Sequence, residues 1–434
     1  MSISNNLFNE QAKEYFKDDY PTFISELHKP CTKAFFLNTA KADRNMILDL
    51  IDFEYRPSPL TDQSFYHDHD SIGKSRAYEL GLIYPQEIAA SLSSLYIDPK
   101  GIKTVVDMCA APGGKSINAL NRLDKDIICI SNDYNHARAL SLSSNLERLG
   151  LDNVIITNKD TIDLSRQLEG FADLVILDAP CSGEGMIRKY PEILDDYSLN
   201  NIESLAKLQS ELLDQAYTIL NNGGQLLYST CTYSFKEDEQ QIESFLKRYP
   251  DMKLIEIPLK SSSRLKGTVK LSPINGTEGQ FIALLKKDGE KKENPFRYLK
   301  PVKEKLIDDF IKENLSLDEY YLYQNNEHYF LSLRPLYDLK YNTMKYGIYL
   351  GEIKNKRYEP THNLYRANSL IGKYRYVYDL SDEQYERFVA GNEIKADLGN
   401  HYYLVTYKGI SLGFGKCANG MLKNKYPKGL RRMV

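Results

Sequence analysis

Between Thr104 and Lys286 the chain alternates short apolar runs with longer amphipathic segments, and few architectures accept that alternation. The runs TVVDM (104–108), DIICIS (126–131), NVIITN (153–158), DLVILD (173–178), GGQLLYST (223–230) and FIALLKK (281–287) read as strands buried on both faces. Between them, NHARALSLSSNLERLG (135–150) and NNIESLAKLQSELLDQAYTILNN (200–222) read as helices. Strands alternating with helices predict a parallel sheet covered on both sides, a doubly wound α/β domain. In such sheets ligands sit outside the carboxyl ends of the strands, near the switch in strand order. Chemistry is therefore expected just past each strand.

The residues at those ends form a coherent set. The first strand runs into VVDMCAAPGGKS, a small-residue turn that opens a helix and lets backbone N–H groups approach a ligand. It is not G-x-G-x-x-G, so the dinucleotide fingerprint is missing and a nicotinamide dehydrogenase is disfavoured. Asp133 ends the second strand, where an acid can accept hydrogen bonds from ribose hydroxyls. Asp160 follows the third and Asp178 the fourth. One such acid alone is often a helix cap. Acids at successive strand ends, without a phosphate-binding fingerprint, point to a nucleoside ligand carrying positive charge, and S-adenosyl-L-methionine has both ribose hydroxyls and a sulfonium.

The fourth and fifth strands each deliver a cysteine just past their ends, Cys181 in DAPCSGEGMIRK and Cys231 in YSTCTYS. Carbon 5 of a pyrimidine is a poor nucleophile until a thiolate adds to carbon 6. A hydrogen bond at ring nitrogen 3 offsets the charge that develops, and a base must then remove the carbon 5 proton before the thiolate leaves. Methylation of an amino group needs no thiol and commonly uses a Pro-Pro-aromatic turn, whereas here the turn is Ala179-Pro180-Cys181. The residues favour carbon methylation, but this chemistry alone leaves open which cysteine attacks. A DNA methyltransferase would use the Pro-Cys turn and does not require the cysteine of STCTYS.

The motifs DMCAAPGGKS, NLERLG followed by NKD, DAPCSGEGMIRK and YSTCTYSFKEDE resemble those of the bacterial RsmF-like RNA cytosine-5 methyltransferases of the Nol1/Nop2/Sun group. GLIYPQEIAAS before them, GTEGQFIALLKK after them and GIYLGEIKNKRYEPTHNL and LKNKYPKGLRR near the end extend the resemblance over nearly the whole chain. The resemblance implies a cofactor loop on Cys109, Ala110, Ala111, Pro112, Gly113, Gly114 and Lys115. It implies a ribose-binding acid at Asp133, with Arg138 in the next helix, and an adenine-side acid at Asp160. Asp178 would lie between cofactor and target base. Cys231 would be the nucleophile and Cys181 would assist product release, while Cys109 would matter for its small size. Asp133 stands where many relatives have Glu, a shorter reach to the same hydroxyl.

The resemblance also implies a division into an N-terminal RNA-binding extension (1–95), an S-adenosylmethionine-dependent methyltransferase domain (96–288), an intermediate domain (289–360) and a PUA-like RNA-binding domain (361–434). The charged stretch KKDGEKKENP (286–295) reads as a linker, and 19 of the 33 tyrosines follow Glu290, a shift in composition at the same place. Most of those tyrosines are expected in small β-rich cores, some as stacking platforms for unpaired bases.

Net charge is -3, yet the last twenty residues hold six Lys or Arg and no acid. That asymmetry favours an RNA contact over a loose tail. No run approaches a membrane span and the start lacks a signal-peptide pattern, so a cytoplasmic protein is expected. Cys31, Cys129 and Cys417 read as buried hydrophobes, and the absence of a C-x-x-C pair argues against zinc. FYHDHDS (65–71) reads as a polar loop, and no metal is expected. The implied substrate is small-subunit (16S) ribosomal RNA in the 30S subunit, bound by a monomer. The alternatives are the same chemistry on transfer RNA, or a catalytically silent RNA-binding assembly protein.

Overall fold

The computed structural model describes residues 5–293, 296–340 and 342–432. Its centre is a nine-stranded sheet. In chain order this part runs β1 (Thr104–Asp107), α1 (Gly114–Arg122), β2 (Ile128–Asn132), α2 (His136–Leu149), β3 (Val154–Thr157), α3 (Thr161–Gln167), β4 (Ala172–Asp178), α4 (Leu199–Ile219) and β5 (Leu220–Thr230). It continues with α5 (Glu239–Arg248), β6 (Met252–Ile255), β7 (Val269–Leu271), β8 (Gln280–Lys287) and, after a long excursion, β9 (Thr343–Tyr346). The spatial order is β6-β8-β5-β4-β1-β2-β3-β9, with β7 also paired to β8. Strands β3, β2, β1, β4 and β5 are mutually parallel, and β8 runs antiparallel to β5. All six apolar runs of the sequence lie on strands of this sheet. The doubly wound class expected from the alternation is what forms.

Both faces of the sheet are covered, which is why its strands carry no polar alternation. Val106, Ile130, Ile155, Val175 and Leu226 enter one core. Val105, Cys129, Ile156, Leu174 and Leu227 enter the other. The helices start and stop on local signals. Asn135 caps α2 by accepting the Arg138 N–H at 3.1 Å, and Gly150 ends it in a left-handed conformation. After β3 the chain returns to the other side of β1, so the switch in strand order falls between β1 and β4. The carboxyl ends of those two strands therefore form the expected binding crevice.

The first 95 residues include two helices (Asn6–Phe16 and Tyr20–Leu27), three shorter ones and a four-stranded antiparallel sheet in which Ala34–Leu37 lies between Ser64–His67 and Ile83–Pro85. The last third contains a five-stranded sheet built around Tyr402–Tyr407 and Ile410–Ala418. These two sheets share a core. Phe35, Leu37, Phe65 and Ile83 pack with Tyr385, Phe388, Val405 and Leu412 across more than 300 positions of sequence.

Several local expectations need correction. Lys286 and Lys287, the start of the stretch read as a linker, complete β8, while Asn294 and Pro295 at its end lie outside the described residues. The basic C-terminus, expected as an RNA contact and not a loose end, is folded into the molecule: Met421–Asn424 is a strand, and Arg432 bonds Glu79 at 2.6 Å. Met433 and Val434 lie outside the described residues. Cys129 and Cys417 are buried, but Cys31 is partly exposed because it sits in the bend before the first strand of the N-terminal sheet. His67 of FYHDHDS points inward on a strand, against Phe35 and Phe53, so the stretch is only partly loop. Of the late tyrosines, Tyr323, Tyr365, Tyr385 and Tyr407 are fully buried, while many others are half-buried. Tyr341 lies outside the described residues. Among the described residues no helix is long and apolar enough to cross a membrane, and no group of three His, Cys, Asp or Glu is placed to hold a metal ion.

Candidate active site

Adjacent parallel strands β4 and β5 end side by side, with Asp178 opposite Ser229 in the register. Each strand then turns at a cysteine, and the two sulfurs stand 3.4 Å apart as free thiols. The Cys231 N–H also points at Cys181 Sγ, at 3.4 Å. Asp178, at the tip of β4, accepts a hydrogen bond from the Ser229 hydroxyl at 2.6 Å through Oδ1. Its Oδ2 faces the Lys115 ammonium at 3.0 Å. Each carboxylate oxygen keeps a further lone pair for a ligand. Lys115 comes from the first turn of α1 and is almost fully buried, so its charge acts through a low-dielectric medium.

The two thiols are not equivalent. A hydrogen bond from Cys181 and the nearby Lys115 cation hold the Cys231 thiol below the ordinary cysteine value, against burial and the Asp178 charge. Cys181 is pushed well above that value by the Cys231 sulfur beside it and by burial. The pair is thus biased toward ionisation at Cys231, with Cys181 the neighbour that keeps its proton to higher pH. Cys109 is also pushed up by burial, so it stays a neutral thiol inside the β1–α1 turn.

That turn is shaped by close backbone packing. Gly113, at φ 115, precedes α1, and a Cβ there would meet Leu142 of α2 at 3.1 Å. Asp133 is buried and accepts the N–H groups of Ala111 at 3.2 Å and Asn135 at 2.9 Å. Arg138 donates to the Ala111 carbonyl at 2.7 Å and lies 3.6 Å from Asp133. Asp160 caps α3 through the Ile162 N–H at 2.8 Å, so its local role is the cap that a lone strand-end acid often plays. Asp107, which the reading of strand ends passed over, lies under the turn. Burial pushes its carboxyl up to about 7, the Ser116 hydroxyl donates to one oxygen at 2.7 Å, and the other has no partner. The crevice thus offers acids at the ends of β1, β2 and β4 and a turn of small residues. That donor set fits a cationic nucleoside.

Several supporting residues were invisible to the sequence reading, although their motifs were quoted. Glu237, from SFKEDE, sits beneath the Pro-Cys turn and accepts the Ser182 N–H at 3.0 Å and its hydroxyl at 2.6 Å. Gln209 of α4 links the Glu237 carboxylate, at 2.9 Å, to the Pro180 carbonyl, at 2.8 Å. On the other side, Lys270 holds Asp238 at 3.0 Å and Glu239 at 2.7 Å and donates to the Tyr233 carbonyl. Arg188, from GMIRK, makes a bidentate bond to Glu278 at 2.9 and 2.7 Å, with both side chains buried. Breaking such a pair costs ~3–5 kcal/mol because one buried charge is left alone.

Gly185 and Gly279 cross behind Cys231. The Gly185 N–H donates to the Cys231 carbonyl at 2.8 Å, and a Cβ on Gly279 would fall 2.3 Å from Gly185 Cα and 2.8 Å from the Tyr233 ring. Gly279→Ala must therefore push the turn after Cys181 away from β8, and with it the carbonyl of Cys231. The expected result is a loss of about 1–3 kcal/mol in stability by denaturant titration, with a drop in activity larger than that loss explains. Wild-type stability in the variant would mean that the two backbones are not in contact.

Residues 94–286 match the family model described as 16S rRNA methyltransferase RsmB/F. Residues 5–88 match the N-terminal domain of 16S rRNA methyltransferase RsmF, and residues 375–432 its PUA domain. The chain is 27% identical to a ribosomal RNA small subunit methyltransferase F of Klebsiella pneumoniae (strain 342), across 95% of this chain and 93% of that protein. It is 34% identical to a tRNA (cytosine(49)-C(5))-methyltransferase of Pyrococcus abyssi, across 62% of this chain and 93% of that one. Among solved structures, a methyltransferase homolog protein from Pyrococcus horikoshii superposes with a TM-score of 0.56 at 26% identity, covering 65% of this chain and 94% of that one.

Proposed function

The chain belongs to the RsmB/F family of S-adenosylmethionine-dependent RNA cytosine-5 methyltransferases, and from that membership we propose that it methylates carbon 5 of cytosine in small-subunit (16S) ribosomal RNA. The observation that carries the chemistry is the Cys181–Cys231 pair, 3.4 Å apart at the ends of adjacent strands and flanked by Asp178 and Lys115. The relatives that align across nearly the whole chain are named for the small ribosomal subunit, which supports the substrate.

S-adenosylmethionine, when bound, supplies the methyl group, and Cys109–Lys115, Asp133, Arg138 and Asp160 would hold it at the crevice. A cytosine extruded from its stack enters above β4 and β5. The Cys231 thiolate adds to carbon 6, and Asp178 hydrogen-bonds the nitrogen 3 edge of the ring. Carbon 5, made electron-rich, takes the methyl group. The carbon 5 proton then passes to water with help from Cys181, the electron pair of that bond re-forms the 5,6 double bond and Cys231 leaves as thiolate. The protein acts as a monomer in the cytoplasm, on the 30S subunit.

The deciding test incubates the protein with labelled S-adenosylmethionine and three unmodified RNAs: 30S subunits, naked small-subunit ribosomal RNA and bulk transfer RNA. Digestion and mass spectrometry locate 5-methylcytosine. Label in ribosomal RNA is expected, and label confined to transfer RNA would keep the chemistry but overturn the substrate.

The thiolate assignment also sets a pH dependence. The attacking form is deprotonated, so adduct formation rises with pH and levels off above the Cys231 value, which the Cys181 hydrogen bond and Lys115 hold low. Lys115→Gln removes the cation. The midpoint should move to higher pH, and the rate at neutral pH should fall about tenfold for each unit moved. An unchanged midpoint in single-turnover measurements would show that Lys115 does not tune the thiol.

A further inference from the structure

A basic cavity lies away from the catalytic crevice, where the N-terminal sheet, α2 and the C-terminal sheet meet. It encloses about 650 Å³. Five basic side chains line it, Lys74, Arg148, Arg366, Arg431 and Arg432, against two carboxylates, Glu79 and Glu147. Both carboxylates are already engaged, Glu79 by Arg432 at 2.6 and 2.8 Å and Glu147 by Lys345 at 2.8 Å. The positive charge is therefore not balanced within the wall.

Two of these cations are held in an unusual way. Arg366 is fully buried, and its Nη1 donates to the carbonyls of Ser411 at 2.9 Å and Leu412 at 3.1 Å. Arg148 donates to the carbonyls of Tyr78 and Ile83 and stacks on the Tyr78 ring at 3.7 Å. Carbonyls orient a guanidinium without neutralising it. Arg148 Nε and Nη2 and Arg366 Nε have no hydrogen-bond partner. These nitrogens are closed to the cavity itself, and their charge reaches it through a medium that screens poorly, so the wall is positive toward an anion. At the mouth, Lys74 is exposed and forms no ion pair among the described residues. Asn145, also in the wall, donates to the Pro112 carbonyl of the cofactor turn at 2.9 Å, which places the cavity one side chain from the site.

We propose that this junction cavity binds a backbone phosphate of the RNA substrate, at a point outside the nucleotide being methylated. The inference rests on the RNA reading above and adds a contact made jointly by all three parts of the chain. A phosphate contact fixes position without reading sequence, and it holds the RNA against the body that carries the cofactor turn.

Lys74→Glu tests it, since that side chain supports nothing in the fold, with Lys74→Arg as the charge-conserving control. Binding of naked small-subunit ribosomal RNA is measured against salt, and binding of inorganic phosphate by phosphorus NMR line broadening. Lys74→Glu should weaken RNA binding three- to tenfold and lower the slope of log affinity against log salt by ~0.7–0.9, the loss of one phosphate contact. Lys74→Arg should keep both, and S-adenosylmethionine affinity should stay within twofold in either variant. Wild-type RNA affinity and slope in Lys74→Glu would overturn the proposal. Loss of inorganic phosphate binding alone, with RNA binding intact, would also overturn it, by assigning the cavity to a free anion. Failure of the wild-type protein to bind ribosomal RNA would remove the functional reading and this contact together.

Discussion

Cys231→Ala is expected to abolish methyl transfer, by about 10⁴-fold or more, while S-adenosylmethionine binds as before. The size follows from the role proposed for it: without covalent addition at carbon 6, carbon 5 has too little electron density to take the methyl group, and positioning alone cannot replace a nucleophile. The side chain is small and partly exposed, and the carbonyl that holds the turn to Gly185 belongs to the backbone, so the fold should survive its loss. Isothermal titration with S-adenosylmethionine and a label-transfer assay separate the two effects. If the variant retains a tenth of wild-type turnover, Cys231 is not the nucleophile, and the order of the two cysteines must be reversed.

Cys181→Ala should behave in the opposite sense. Addition and transfer need only Cys231, so the variant forms the adduct, but the carbon 5 proton is then removed slowly and the enzyme stays attached to methylated RNA. The expected signature is a protein–RNA species stable in denaturing gels, with turnover stopping near one methyl group per enzyme. The variant also removes the hydrogen bond that helps hold the Cys231 thiol down. Adduct formation should therefore shift to higher pH even as release fails. Rapid repeated turnover without a trapped species would sink the release role. Denaturant titration keeps the result interpretable, because Glu237 and Gln209 hold the Pro-Cys turn through Ser182 and the Pro180 carbonyl, not through the Cys181 sulfur.

A large part of the fold was legible because its signal is local. A strand buried on both faces must be apolar at successive positions, so β1 to β5 and β8 stand out without any knowledge of their partners. Asn135 and Gly150 mark the ends of α2 for equally local reasons. β9 was not legible. Its pairing with β3 joins residues nearly 190 positions apart, and nothing in TMKY (343–346) separates an edge strand of the central sheet from one in a later unit. The shared core of the first and last sheets was hidden for the same reason, since each contributes only half of an apolar face.

For the candidate site, the sequence by itself determined which groups stand at the strand ends: Cys181, Cys231, Asp178, Asp133 and the turn before α1. A parallel sheet leaves no other place for them, because every strand delivers its next residue to the same edge. Only the tertiary structure decided the thiols' inequality. That depends first on the hydrogen bond between the Cys181 and Cys231 sulfurs, and then on Lys115 reaching across from α1 to Asp178 and Cys231 through a medium that screens it poorly. It also decided what holds the cysteines in place: Glu237 under the Pro-Cys turn, Gly185 crossed on Gly279, and Arg188 locked to Glu278. Each is a contact between residues 55 to 94 positions apart, set by distances of 2.6 to 3.1 Å. Periodicity in a sequence reports which face a side chain takes, and carries no information about which distant group it will meet there.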